Sequence, residues 1–284
     1  MKSFVALLAA FALLLSCTES SAQVQTVLDG AYVKEHNFTK AVIPYPHLRE
    51  ADVLWAKRVW QVIDLREKMN HPFYYPTEEI EDRKSLFNVI RYALLTEGSL
   101  TAYSLGPTDD DDEFRFPMTT TELDSLLNPV VVSYVEDLDT GERLPVENVA
   151  PIQSADITQY QIKEDWIFDK QRSERYVRII GIAPMKEAFN DEGEKIGYKT
   201  LFWLYFPECR YVFANWEVFN FHSDSQRRTF EDLFQKRNFT SYIIKEANVY
   251  DRSIAGYARG VQALLESERI KQELFEFEHD LWHY

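Results

Sequence analysis

The stretches YVRII at residues 176–180 and KTLFWLYF at residues 199–206 lie on either side of the sequence Asp191-Glu192-Gly193. Both stretches are rich in β-branched and aromatic residues, which favour strands, and the acidic residues followed by Gly are typical of a hairpin turn. Strand-like patterning extends over residues 157–206. Shorter strands are predicted at 100–104, 114–118 and 130–135, with a turn at Asp139-Thr140-Gly141.

Helical periodicity flanks this strand-rich centre. A first helix is predicted from Leu48 to His71, where one stripe holds Ala51, Trp55, Val59, Val62, Arg66 and Met69. A second helix should begin near Thr77 or Asp82 and end at Gly98. Further helices are expected after a cap within residues 119–121, from Pro207-Glu208, at 226–235 and at 256–281. The pattern predicts an α+β fold, a mainly antiparallel sheet with helices from both the N-terminal and C-terminal parts.

The first 22 residues resemble a secretion signal. Lys2 precedes an unbroken apolar run from Val5 to Leu15, and Ser20-Ser21-Ala22 supplies small residues for cleavage. The apolar run is shorter than the roughly 20 residues that a membrane span needs, so we expect a soluble mature chain that begins at Gln23. The alternative is a lipoprotein signal, in which Cys17 would be lipidated and the protein tethered to a membrane.

The mature chain divides into three predicted parts. Residues 23–47 have two prolines and no clear period, which predicts an extended N-terminal arm. The arm either is poorly ordered alone and docks on a neighbouring subunit or another partner chain, or packs along its own domain. Residues 48–255 form the α+β domain. Residues 256–284 form a C-terminal helix, and we expect it to pack on the chain's own body through Ile270, Leu274, Phe277 and Leu281.

The composition limits the kinds of partner. The net charge is −15, and nucleic acid and anionic membranes both require a basic surface, so neither is expected as a direct partner. Only Cys209 would remain after cleavage, which leaves no internal disulfide, so stability must come from a hydrophobic core. The 45% of hydrophobic residues can supply that core.

No motif of known chemistry stands out, so no catalytic, cofactor-binding or metal residue is assigned and the chain is not expected to be an enzyme. It has no glycine-rich phosphate loop, no G-x-S-x-G and no H-E-x-x-H. The aromatic neighbours of Cys209 favour a buried structural thiol over a nucleophile. The acidic run at 109–113 lacks the spacing of a calcium loop and is interpreted as solvated. His279 and His283 have metal-ligand spacing, but a frayed terminus explains them better.

Several aromatic-rich phrases resemble the GldN/PorN family of gliding-motility and type IX secretion proteins of Bacteroidetes. The resemblance covers roughly residues 45–255, and its phrases include DVLWAKRVW at 52–60, LFNVIRYALLTEG at 86–98, YVRIIGIAP at 176–184, WLYFPECRYVFANWEVF at 203–219 and FEDLFQKRN at 230–238. Their order and number make the match specific.

The resemblance implies a periplasmic, non-catalytic protein without a cofactor. Members of the family form a ring with a GldK/PorK-like outer-membrane lipoprotein, at the inner face of the outer membrane. That ring works with the periplasmic shaft of a GldM/PorM-like inner-membrane partner. A homo-oligomer within the ring, secretion of type IX cargo and a role in gliding are therefore expected.

Two other functions compete with this hypothesis. An exported glycan- or solute-binding module could use Tyr74, Tyr75 and Trp216 as stacking platforms, and an exported hydrolase could use a pair of carboxylates. Either would work as a small particle, whereas the structural hypothesis requires a large assembly that contains a lipoprotein.

We predict that cells producing this chain with a radioactive fatty acid will yield an unlabelled mature protein that begins at Gln23, because Ser20-Ser21-Ala22 is a cleavage site for an ordinary secretion signal. N-terminal sequencing and autoradiography measure this. The matched control is Cys17→Ser, which should be processed in the same way. Label that disappears in Cys17→Ser would show that the chain is a lipoprotein.

Overall fold

An antiparallel sheet organises the chain. The computed structural model describes residues 40–80, 83–136, 143–190, 193–220, 223 and 225–280, without the side chains of 131–147 and 278, and all of these lie in one unit, Asn37–Tyr284. The strands are β1 Val53–Asp64, β2 Ala102–Ser104, β3 Phe116–Pro117, β4 Val130–Glu136, β5 Arg143–Val149, β6 Ile157–Asp169, β7 Glu174–Phe189, β8 Lys195–Thr200, β9 Trp203–Tyr205, β10 Glu217–Val218, β11 Arg228–Thr229 and β12 Tyr242–Glu246. The α-helices are α1 His71–Tyr74, α2 Leu86–Tyr92, α3 Thr120–Leu127, α4 Phe206–Phe213, α5 Phe230–Gln235 and α6 Val261–Asp280.

Eight strands form the main sheet in the described part of the chain. Their order is β12-β1-β6-β7-β9-β2-β3. The strand β8 lies outside this order and pairs with residues 185–189 of β7, whereas β9 pairs with residues 181–182. Every pairing is antiparallel, and the longest ones join β1 to β6 and β6 to β7. The strands β4 and β5 pair separately, as do β10 and β11. The predicted α+β class and the hairpin between β7 and β8 are therefore confirmed.

The predicted first helix is wrong. Residues 53–64 form β1, and the helical content before it is one 3-10 turn, Glu50–Asp52. The second half of β1 is buried on both faces of the sheet, so its apolar residues form a nearly continuous run that does not distinguish a strand from a helix. Long-range pairing decides in favour of the strand, because β1 exchanges ladder hydrogen bonds with both β6 and β12.

Local signals at the other helix ends were informative. Gly98 ends the second helical segment with φ 63°, after a π-helical turn at Ala93–Glu97. Thr119 caps α3 with a full capping box, and Pro207 lies in the first turn of α4. The helix predicted at 226–235 begins only at Phe230, after β11, and the C-terminal helix begins at Val261. The turn predicted at 139–141 lies outside the described residues.

The two faces of the sheet are covered differently. We call the face that carries Ile162, Glu164 and Trp166 the helix face. There, α2, α4 and α5 bury a large core whose aromatic centre is formed by Phe73, Phe206, Phe213, Phe230 and Phe234. At the other end of the same face, α6 packs Ile270 and Leu274 on Val59 and Ile243.

The opposite face, which we call the loop face, carries Lys163 and Gly181 as a cross-strand pair. The chain between β2 and β3 lies over it and places Leu105 and Phe114 against Trp60 and Trp203. The Phe114 ring meets Trp203 edge to face, with centroids 6.3 Å apart. Phe114 has a φ of 59°, which is unusual for a large side chain, so packing must hold the loop in this conformation.

Residues 40–47 have no regular secondary structure and lie along the chain's own domain. Lys40 pairs with Asp232 of α5, and the backbone carbonyl of Ile43 accepts a hydrogen bond from Arg210 of α4. This part of the arm therefore follows the second of the two alternatives. Residues 23–39 lie outside the described residues.

We predict that Gly181→Ala will lower the free energy of unfolding by about 1–3 kcal/mol, the usual cost of overpacking. A Cβ at this position would lie 2.7 Å from Phe114 Cζ and 3.1 Å from Trp203 Cε3. Urea denaturation of the purified protein measures the change. Gly197→Ala in β8 is the matched control, because its Cβ would meet nothing within 4 Å. Equal stability of the two variants would contradict close packing of Phe114 on the sheet.

Candidate functional site

Cys209 is a structural thiol. Its side chain is 1% exposed, in the second turn of α4 and within the large core. Burial raises the pKa of this thiol above its ordinary value, which keeps it protonated and unreactive at neutral pH. The position expected from its aromatic neighbours is thus confirmed.

The acidic loop is only partly solvated, so its interpretation as a solvated loop needs correction. Asp109 and Asp110 are exposed, but Asp112 turns inward. Its carboxylate and backbone carbonyl accept hydrogen bonds from Lys163 Nζ, at 3.1 Å and 2.8 Å, and the carboxylate accepts another from Trp60 Nε1. The Lys163 side chain is 3% exposed, so Asp112 neutralises a charge that lies deep in the sheet.

The aromatic residues considered as stacking platforms do not form one surface. Trp216 is 9% exposed and belongs to the large core, where Lys84 Nζ lies 4.9 Å from its ring centroid. Tyr74 also packs against that core. Tyr75 is 53% exposed, with its ring 4.9 Å from that of Tyr74. The binding-module hypothesis therefore loses two of its three residues to packing.

A buried carboxylate lies at the centre of the helix face. Glu164 of β6 is 0% exposed and accepts hydrogen bonds from Gln61 Nε2 at 2.9 Å, Trp166 Nε1 at 3.2 Å and Arg237 Nη1 at 2.7 Å. Arg237 follows the end of α5 in the left-handed region, with φ 51°. The residues on either side of Glu164 along this face belong to different cores, Ile162 to the large core and Trp166 to the α6 core.

Another buried ion pair contacts the arm residues Ile43 and Tyr45. Arg210 of α4 and Glu231 of α5 form a pair at 2.6 Å, with side chains 4% and 8% exposed. Arg210 Nη2 also donates to the Ile43 carbonyl at 2.7 Å. The Tyr45 ring centroid lies 4.0 Å from Arg210 Cζ and 5.3 Å from Cζ of Arg178 in β7.

We call this site the arm groove; it consists of Arg178, Arg210, Glu231 and Asp232. Arg178 donates to the carbonyl of Pro46, so two guanidinium groups bind two backbone carbonyls of one extended segment. Burial raises the pKa of Glu231, partly offset by the hydrogen bond from Arg210. Burial also acts to raise the pKa of Asp232, but hydrogen bonds from Lys40 and Thr229 outweigh it and hold that pKa below its ordinary value.

The outer surface of α6 carries a group of exposed apolar side chains. They are between 62% and 72% exposed and consist of Val261, Leu264, Leu265 and Phe275. The inner side of the helix is buried, and there Phe277 stacks on Trp55 with ring centroids 4.4 Å apart. Ser267 accepts a hydrogen bond from the backbone N–H of Ile243, so α6 also protects the edge strand β12.

Among the described residues, no group of three or more His, Cys, Asp or Glu side chains could hold a metal ion. His279 lies 4.0 Å from Asp280 at the end of α6, and its predicted companion His283 is outside the described part. In that same part of the chain, no helix is both long and apolar enough to cross a membrane.

The residues of these networks were not singled out from the sequence. A usable signal was present in the segment QIKEDWIF at 161–168, where charges interrupt an otherwise apolar strand. A charge in the middle of a buried strand implies a partner elsewhere in the chain, because an unpaired buried charge is costly.

Residues 48–283 match a family model described as "Gliding motility associated protein GldN". No curated protein shows significant similarity to the chain. The match begins just after the arm segment and includes the pairs Glu164–Arg237 and Arg210–Glu231 and the whole of α6.

We predict that Arg237→Ala will lower the free energy of unfolding by about 3 kcal/mol or more, because it leaves the Glu164 carboxylate buried without its cation. Urea denaturation measures the change. Arg269→Ala on α6 is the matched control, since Arg269 pairs with Glu266 and Glu273 at the surface and its loss should cost less than about 1 kcal/mol. Similar costs for the two variants would show that the Glu164 pair has no special weight.

Proposed function

Because the chain belongs to the GldN family of gliding motility associated proteins, we propose that it is a non-enzymatic structural component in the periplasm. As a member, it is a component of the gliding and type IX secretion machinery. The proposed role is to form a ring with other copies and with a GldK/PorK-like outer-membrane lipoprotein. In this role the ring lies at the inner face of the outer membrane and works with a GldM/PorM-like shaft.

The family match over residues 48–283 is the observation that carries the proposal. Two further features support it. The buried charges are used to fix strands, loops and helices to one another, as a scaffold requires. The exposed apolar side chains of α6 provide surface of the kind that protein interfaces bury.

The export signal supports the proposed location. Residues 1–22 resemble a secretion signal that delivers the chain across the inner membrane, and the lipoprotein partner would then hold it at the outer membrane. A net charge of −15 fits a protein that reaches this membrane through a protein partner and not through anionic lipid.

We predict that the tagged protein, purified from detergent-treated envelopes of the bacterium that encodes it, will emerge in a particle far larger than the 33.4 kDa of one full-length chain and together with an outer-membrane lipoprotein. Size-exclusion chromatography and mass spectrometry measure both properties. Deletion of the gene should also stop secretion of type IX cargo.

The matched control is the same tagged chain without residues 1–22, which should remain in the cytoplasm and co-purify no lipoprotein. A wild-type protein that runs as a single chain without a lipoprotein would contradict the proposed function.

A further inference from the structure

The arm groove binds residues 40–46 through contacts that the same residues of any other copy of this chain could also make. Its polar contacts are two guanidinium-to-carbonyl hydrogen bonds, from Arg210 and Arg178, and the contacts of Lys40 with the carboxylate of Asp232 and the hydroxyl of Thr229. Every one of these contacts joins residues that are more than 100 positions apart in sequence. The groove is therefore formed by residues outside the segment, and residues 40–46 bind to it as a separate peptide would.

The segment is bound in a way that permits exchange. Ile43 is 70% exposed and Pro44 is also exposed, whereas Val42, Tyr45 and Pro46 are half-buried, so the segment is only partly buried. Pro44 and Pro46 restrict its backbone to extended conformations, which lowers the entropy that is lost when it binds. Two polar atoms of the groove, Glu231 Oε2 and Arg178 Nε, have no hydrogen-bond partner among the described residues.

The link between the segment and the sheet can change conformation without disrupting a core. It runs from His47 through the 3-10 turn Glu50–Asp52, which contains no buried residue. The first fixed point is Asp52, whose carbonyl accepts a hydrogen bond from the N–H of Lys170. The five residues 47–51 can span at most about 17 Å when extended, which sets how far the segment can move from Asp52.

We propose that, in the assembled state, residues 40–46 of one copy occupy the arm groove of the neighbouring copy. This inference rests on the proposed function, because it requires copies of the chain to lie side by side. The segment fits a second copy's groove by identity of sequence, so no new contact has to be created. Exchange of an identical element is a low-cost route to association.

Such an exchange also has the polarity that a ring needs. An arm that leaves one copy and enters the groove of the next joins two different surfaces, so the contact is head to tail and can repeat until the ring closes. Once a neighbour is held nearby by other contacts, its high effective concentration lets it compete with the chain's own segment.

The first test places a photoreactive phenylalanine analogue at Tyr45, whose ring lies against Arg210 and Arg178. Irradiation of the isolated monomer should give cross-links within one chain. Irradiation of the native envelope assembly should give covalent dimers in which the analogue is joined to peptides that contain Arg210 or Arg178. The same analogue at Tyr250, which is 77% exposed and outside the groove, is the control position and should not give these cross-linked peptides.

The second test uses charge reversal with two differently tagged copies in cells that lack the native gene. Lys40→Asp alone and Asp232→Lys alone each create a like-charged contact, whether the segment docks in its own chain or in a neighbour. When the two variants are produced together and alternate, every exchanged contact is again between opposite charges. Exchange therefore predicts that the mixture recovers the amount of large complex that either variant alone has lost.

The double variant Lys40→Asp/Asp232→Lys is the control, because it restores opposite charges in both arrangements. It also lacks the carboxylate with which Asp232 caps α5, so it measures the effect of losing that cap. A double variant that assembles while the mixture does not, with Tyr45 cross-links confined to single chains in the envelope, would overturn the exchange. A wild-type protein without any large assembly would instead overturn the proposed function on which it rests.

Discussion

The carboxylate of Glu164 is the constraint on which much of the structure depends. It has no exposed surface, so its charge must be balanced by partners that the fold places around it. Gln61 belongs to β1, Trp166 belongs to β6 like Glu164 itself, and Arg237 follows the end of α5. These three partners lie in three different parts of the chain, so the sheet and the helix layer must be correctly assembled before the charge is satisfied.

The neighbouring residue imposes the same demand on the other face. Lys163 precedes Glu164 in β6 and, because side chains alternate along a strand, it points to the loop face and pairs with Asp112. A shift of one residue in the register of β6 would place each charge beside the other's partner, with both buried. The two adjacent charges therefore specify the pairing of the central strands more strictly than apolar residues could, since Ile and Val tolerate either face of a sheet that is covered on both sides.

Local chemistry was readable in the sequence, whereas long-range pairing was not. The capping threonine before α3, Gly98 and Pro207 each act on their own neighbours, so their roles follow from a few adjacent residues. The strand β1 is mispredicted as a helix because its second half is buried on both faces, and its ladder partners in β6 and β12 are about 95 or more residues away in sequence. For the same reason the inward turn of Asp112 and the arm groove could not be deduced, since each depends on a distant cation. The charges in the middle of β6 were the one visible sign that such partners exist.

The proposed ring requires rigid subunits for a geometrical reason. In a closed ring every copy repeats the same angle to its neighbour, so a small error in that angle accumulates around the ring and prevents closure. Ion pairs such as Glu164–Arg237 and Arg210–Glu231 contribute little net stability compared with apolar packing, but they admit few alternative geometries. Two parts of the surface are less firmly fixed. Residues 40–46 are held mainly by a few polar contacts, and the outer side of α6 is exposed. In the proposed function these features have separate tasks: buried charges hold strands and helices in fixed positions, and lightly held or exposed segments are the candidates for contact with other chains.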